Sequence, residues 1–190
     1  MKLYFITHPA VNIDPDIPVN KWSISKEGWK QVRNLSDEPF WKEVDVIFAS
    51  TEQKANKTAE YWSKKFNIPL TIVNGIEEID RSSTGFIAEN EFWKTADDFY
   101  ATPDKKVRGW ESANECLDRM VKAMEKIVAE NGGKNIAVVS HGAVGNLYAC
   151  RIKGTRPSHL TGQTKIGSWF VLDIKNHWYK TSGIINSTVP

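Results

Sequence analysis

Two histidines stand directly behind short apolar runs. His8 follows Leu3-Tyr4-Phe5-Ile6-Thr7, and His141 follows Ile136-Ala137-Val138-Val139-Ser140. A third such run, Val44 to Ala49, ends in Ser50-Thr51, and Lys54 lies one turn into the segment after it. An imidazole can act as nucleophile, base or hydrogen-bond donor near neutral pH. Two imidazoles, a lysine and strand-end hydroxyls gathered in one place would make an anion pocket suited to a phosphate. Pro9 biases His8 towards an extended backbone, which aims it off the strand end.

The three runs are rich in β-branched residues and read as buried parallel strands. In open α/β sheets, ligands bind beyond the carboxyl ends of such strands. Helices are expected just after the second and third strand ends, so backbone N–H groups and positive dipole ends would face the same crevice. The remaining pattern supplies the frame: strands near 2–7, 44–49, 69–73, 135–140 and 169–174, and helices near 26–36, 52–66, 89–101 and 143–152. The 69–73 strand is expected nearer an edge. The clearest helix opens with a capping-box pattern at Ser112 and Glu115, carries Leu117, Met120, Val121, Met124, Ile127 and Val128 at helical spacing, and stops at Asn131-Gly132-Gly133. Alternation of this kind predicts an α/β fold: a three-layer sandwich with a mostly parallel sheet and helices on both faces.

Length and composition set outer bounds. A chain of 190 residues reads most simply as a single domain, 1–190. A net charge of +2 argues against nucleic acid or an anionic membrane surface as partner. No apolar run approaches the roughly 20 residues of a membrane span, and the opening residues do not read as a signal peptide. Cys116 and Cys150 form neither a metal motif nor a disulfide framework, which fits a cytoplasmic protein. Most of the eight tryptophans are expected in the core. His159 and His177 fit no motif and are taken as non-catalytic.

In order along the chain, these residues resemble the histidine phosphatase superfamily, with its phosphoglycerate-mutase-like fold. Thr7-His8-Pro9 stands where that family has Arg-His-Gly. Ser50-Thr51-Glu52-Gln53-Lys54-Ala55-Asn56-Lys57-Thr58-Ala59 follows its Ser-x-x-x-Arg-Ala-x-x-Thr-Ala, with lysine for arginine. Ser140-His141-Gly142 keeps its Ser-His-Gly, and Ser25 to Gln31 and Trp110-Glu111-Ser112 match supporting segments. The resemblance implies phosphomonoester hydrolysis through a phosphohistidine on His8, with His141 and Lys54 binding the phosphoryl oxygens alongside Ser50 and Thr7. It also implies a general acid–base glutamate, which spacing places at Glu78, with Glu77 the alternative. It implies no metal and no organic cofactor. The expected partner is a small phosphate ester or other anionic ligand, and a homodimer is conceivable.

The departures from the family pattern fall in the phosphate clamp. Thr7 is neutral, Lys54 offers a point charge instead of a planar fork, and Pro9 has no N–H to give. Losing one strong donor from such a site costs about 2.7–4 kcal/mol of transition-state stabilisation. Arg81, three residues after Glu78, is a candidate replacement cation. Thr-His-Pro together with Glu78-Ile79-Asp80-Arg81-Ser82-Ser83-Thr84-Gly85 resembles a bacterial subgroup of the superfamily. The rival expectation is a weak or inactive member that binds an anionic ligand without turnover. A mutase, or a metal-dependent hydrolase built on His8, His141 and Asp14 or Asp80, ranks lower. Trp22, Phe86, Phe92, Trp93 and Trp110 are expected to favour a partly apolar leaving group.

Overall fold

The computed structural model describes residues 1–158 and 166–174, with the backbone of 178–182. His159 and His177 lie outside the described residues. Among the described residues, six strands form one sheet in the order β3-β2-β4-β1-β5-β6. They are β1 (Lys2–Thr7), β2 (Val46–Ser50), β3 (Leu70–Val73), β4 (Ile136–Ser140), β5 (Trp169–Asp173) and β6 (Trp178–Ser182). The pairs β1–β4, β2–β4 and β2–β3 are parallel, while β5 and β6 run antiparallel at one side. The expected edge position of β3 holds. The last strand, β6, was not anticipated, because Trp178-Tyr179-Lys180-Thr181-Ser182 lacks a clean apolar alternation.

Among the described residues, five α-helices cover the sheet: α1 (Lys26–Leu35), α2 (Gln53–Phe66), α3 (Glu89–Ala101), α4 (Ala113–Glu130) and α5 (Gly142–Lys153). The two-residue period of the strands divides the core. Leu3, Phe5, Val46, Phe48, Ile136 and Val138 face Phe99, Trp110, Met120, Met124, Val144 and Leu147, from α3, α4, α5 and the loop between α3 and α4. Tyr4, Ile6, Ile47, Ala49, Ala137 and Val139 face Val32, Leu35, Ala55, Ala59 and Trp62 of α1 and α2. Because both faces are covered, every residue of β2 and β4 is buried.

Local signals place the helix ends. Ser25 caps α1 by accepting from the Gly28 N–H at 3.0 Å. Ser112 and Glu115 form the expected reciprocal capping box on α4. Gly28 is needed for a different reason: a Cβ there would lie 2.0 Å from the Ala10 carbonyl oxygen. This close approach lets the first turn of α1 hold the segment leaving β1, since Ser25 donates its N–H to the same oxygen at 3.0 Å. Gln31 adds to it by accepting from the Ala10 N–H at 2.8 Å.

Candidate active site

Register brings the reactive strand ends side by side. Thr7 is opposite Ser140 in the β1–β4 pair, and Ala49 is opposite Val139 in the β2–β4 pair. Thr7, Ser50 and Ser140 therefore end three neighbouring strands at one level, and His8 and His141 leave from two of them. Their ring centroids are 5.2 Å apart.

His8 is held by its backbone, donating its N–H to the Ser140 carbonyl at 2.9 Å and accepting from the Gly167 N–H at 3.0 Å. Its Nδ1 lies 2.8 Å from the Pro9 carbonyl oxygen. A carbonyl only accepts, so the ring proton sits on Nδ1 and the lone pair on Nε2. Burial, then the nearby Lys54 charge, holds the ring far below its usual range, at about 3. At neutral pH His8 is uncharged, with its lone pair on Nε2.

His141 is fully buried, and its Nε2 lies 2.8 Å from the Ser50 hydroxyl. Burial also pushes this imidazole well below its normal range, with Lys54 and His8 adding to the effect. Its Nδ1 is buried with no hydrogen-bond partner. Ser50, expected to bind phosphate, is itself shut from solvent and its hydroxyl is taken up by this contact with His141. Thr7 is buried at the end of β1, where its N–H donates to the Ser168 carbonyl at 2.9 Å.

The segment after β3 separates Glu77 from Glu78. Glu77 accepts from the Thr51 hydroxyl at 2.9 Å and the Gly75 N–H at 2.7 Å, so its carboxylate is occupied in holding the loop. Glu78 instead reaches the start of α5, where its carboxylate accepts from the N–H groups of Ala143 and Val144, both at 3.1 Å. It therefore sits at a positive helix end, directly beside Ser140-His141-Gly142. The Glu78 N–H donates to Glu52 at 2.8 Å, and the Ser140 hydroxyl donates to the Ile76 carbonyl at 2.7 Å.

Arg119, on α4, fastens this loop from outside. Its guanidinium donates to the carbonyls of Gly75, Glu77 and Glu78 at 3.1, 2.9 and 2.8 Å. Sequence reasoning passed over Arg119, whose only signal is a charged residue between the apolar positions Cys116 and Met120.

Glu52 is the second residue the sequence reading missed. It is buried, pairs closely with the Lys54 ammonium, and lies 3.6 Å from His141 Nε2. Lys54, itself only 3% exposed, also donates to the Val19 carbonyl at 3.1 Å. The available clue was a carboxylate inside an anion-binding motif.

A cavity of about 1110 Å³ opens beside these groups. Glu52, Glu78, Arg81, Val19, Lys21 and Asn56 are among its lining residues. The Arg81 guanidinium lies 5.9 Å from the Trp22 ring and 5.2 Å from the Phe92 ring and donates to the Gly85 carbonyl at 3.2 Å. Burial lowers its pKa, opposed by the charges of Glu78 and Glu52, so it shares their electrostatic neighbourhood. Phe86 and Trp93 are exposed, but Trp110 differs from expectation. It is fully buried and donates to the Thr84 hydroxyl at 2.8 Å, because its ring fills the core under α3. Among the described residues, no three His, Cys, Asp or Glu side chains converge to hold a metal ion. None of the described helices is long and apolar enough to cross a membrane.

The chain is 29% identical over 139 residues to a probable phosphatase of Schizosaccharomyces pombe, a match covering 70% of this chain and 46% of that protein. It is 26% identical over 147 residues to phosphoserine phosphatase 1 of Hydrogenobacter thermophilus, covering 75% of this chain and 66% of the relative. The chain thus spans about half the length of the first relative and about two thirds of the second. Among solved structures, Bacillus stearothermophilus YhfR superposes with a TM-score of 0.79 at 19% identity, covering 95% of each chain. A mycobacterial glucosyl-3-phosphoglycerate phosphatase superposes with a TM-score of 0.77 at 13% identity, covering 95% of this chain and 96% of the other. These two show the shared fold. The family profile matches residues 14–182, taking in the Ser50 to Ala59 and Ser140-His141-Gly142 segments, while Thr7-His8-Pro9 precedes the matched region. The chain belongs to the histidine phosphatase superfamily, branch 1.

Proposed function

We propose that the protein hydrolyses phosphate monoesters through a phosphohistidine on His8. The observation that carries this reading is the state of the His8 ring, neutral, with Nδ1 committed to Pro9 and Nε2 left as the nucleophile. In the first step Nε2 attacks phosphorus, the ester P–O bond breaks, and the Glu78 carboxyl gives its proton to the leaving oxygen. In the second step Glu78 takes a proton from water, the water oxygen bonds to phosphorus, and the N–P bond breaks to release phosphate. In this reading His141 and Lys54 donate to the phosphoryl oxygens, Arg81 supplies a further cation from the cavity wall, and Ser50 orients His141.

The cavity has room for a leaving group larger than the phosphoryl group, and its lining residues are mostly polar; none of the aromatics expected to favour an apolar group lines it, and Trp22 and Phe92 instead pack behind Arg81. Two free, buried cysteines fit a cytoplasmic setting. A second reading, ligand binding without turnover, is favoured by one observation: Lys54 is already paired with Glu52.

The deciding experiment is hydrolysis of an aryl phosphate between about pH 4 and pH 8, a range spanning carboxylate and histidine titration. Wild type is compared with His8→Ala and Arg81→Ala. Turnover abolished in His8→Ala, with a large further loss in Arg81→Ala, is the expected result. Equal inactivity of wild type and His8→Ala on a broad phosphoester panel would move the binding reading ahead.

A further inference from the structure

Glu52 occupies the N-cap position of α2, where an acidic side chain ordinarily turns back to accept the helix's first N–H groups. Here it makes no such bond. One oxygen meets the Lys54 ammonium, and the other accepts the Glu78 N–H at 2.8 Å and lies 3.6 Å from His141 Nε2. A buried carboxylate therefore stands beside the crevice and balances Lys54, the cation at the motif's arginine position. We propose that Glu52 competes with the phosphoryl group for Lys54 and so sets how tightly the site holds dianionic phosphate.

The inference rests on the reading of this crevice as a phosphate site. For Lys54 to engage a phosphoryl oxygen fully, it must give up part of its contact with Glu52, and separating a buried pair is costly. The remaining carboxylate charge, a few ångströms away in a poorly solvated site, then repels the incoming dianion. Thr7 and Pro9 have already removed one guanidinium and one N–H from the clamp. Glu52 moves the site further in the same direction, towards weak retention of product phosphate and preference for a phosphoryl group of lower charge. Glu52 is thus an affinity-setting and positioning residue that acts through Lys54.

The test is calorimetric titration of inorganic phosphate into wild type, Glu52→Gln, Glu52→Asp and Lys54→Met near neutral pH. Glu52→Gln is expected to bind phosphate about tenfold more tightly than wild type, the scale of one charge-assisted contact regained. Glu52→Asp keeps the charge and should stay near wild type, while Lys54→Met should bind more weakly. In the Glu52→Gln, Lys54→Met double variant the gain should shrink to about twofold, leaving only relief of repulsion. Unchanged or weaker binding in Glu52→Gln would overturn the proposal and make Glu52 a structural support for the Glu78 backbone. If that result came with turnover lost in His8→Ala, the phosphohistidine reading would stand. Absence of phosphate binding in every form, including wild type, would overturn both.

Discussion

Glu111 grips Arg119 with both carboxylate oxygens, one 2.7 Å from Nε and the other 2.8 Å from a terminal nitrogen. The fork fixes the guanidinium plane, so its remaining N–H groups meet the carbonyls of Gly75, Glu77 and Glu78 in register. The position of the candidate acid thus depends on a residue of α4 whose side chain never enters the crevice.

Arg119→Lys keeps the charge and loses the fork. Turnover should fall about tenfold to a hundredfold, because a displaced Glu78 no longer meets the leaving oxygen. Stability should drop by about 2 kcal/mol from the carbonyls left without partners. Kinetics on an aryl phosphate beside a thermal melt separates the two effects; unchanged kcat would show that the loop holds itself.

Ser50→Ala removes the hydroxyl that orients His141. A side chain that steadies another catalytic group commonly contributes about tenfold to a hundredfold. The expected outcome is a fall in kcat of about tenfold with KM little changed. A rise in KM with constant kcat would instead place Ser50 on the substrate.

Acid should unfold this protein earlier than its carboxylates alone require. Burial holds His8 down at about 3 in the fold, against an ordinary value of 6.5. Between those limits the unfolded chain binds the extra proton, so stability is complete above about pH 6.5 and declines as pH falls towards 3. The slope is about 1.4 kcal/mol per pH unit for one histidine, and His141 acts in the same direction. Urea midpoints between about pH 7 and pH 5 should show this, and His8→Asn should reduce the slope by about half. Identical slopes in the two proteins would remove His8 from the account.

Gly28→Ala should destabilise by about 1–3 kcal/mol, since the added Cβ meets the Ala10 carbonyl oxygen and the backbones must part. The same shift would disturb the Ala10 contacts of Ser25 and Gln31, two residues downstream of His8. A thermal melt within about 0.5 kcal/mol of wild type would contradict this.

Much of the frame was legible in the sequence because it rests on short-range signals. β-branched runs marked the central strands, Ser112 with Glu115 marked the start of α4, and His8, Ser50 and His141 stood at strand ends where topology gathers them. The unread parts depend on contacts between distant segments. Spacing placed Glu78 ahead of Glu77, but the pairing of Glu77 with Thr51 lies 26 residues away in sequence and separates their roles physically. Glu52 read as an ordinary motif spacer until its oxygens met Lys54 and the Glu78 N–H. Arg119 carried no sequence signal beyond its place in the helix, and Trp110, expected to favour an apolar leaving group, is instead taken into the core by packing.

The position of β1, between β4 and β5, has a consequence for the order in which the molecule opens. Its amides are shielded by strands on both sides and helices above and below, so they should be among the last to exchange with deuterium. His8 is joined to the end of that strand, whereas Glu78 and Arg81 lie outside the sheet ladder on a connection held largely by side-chain contacts such as those of Arg119, which we expect to open before β1 does. Warming should therefore quench turnover by loosening Glu78, the proposed acid, and Arg81 while His8, the proposed nucleophile, is still in place. Exchange in the 75–86 segment, rather than global melting, would set the upper working temperature.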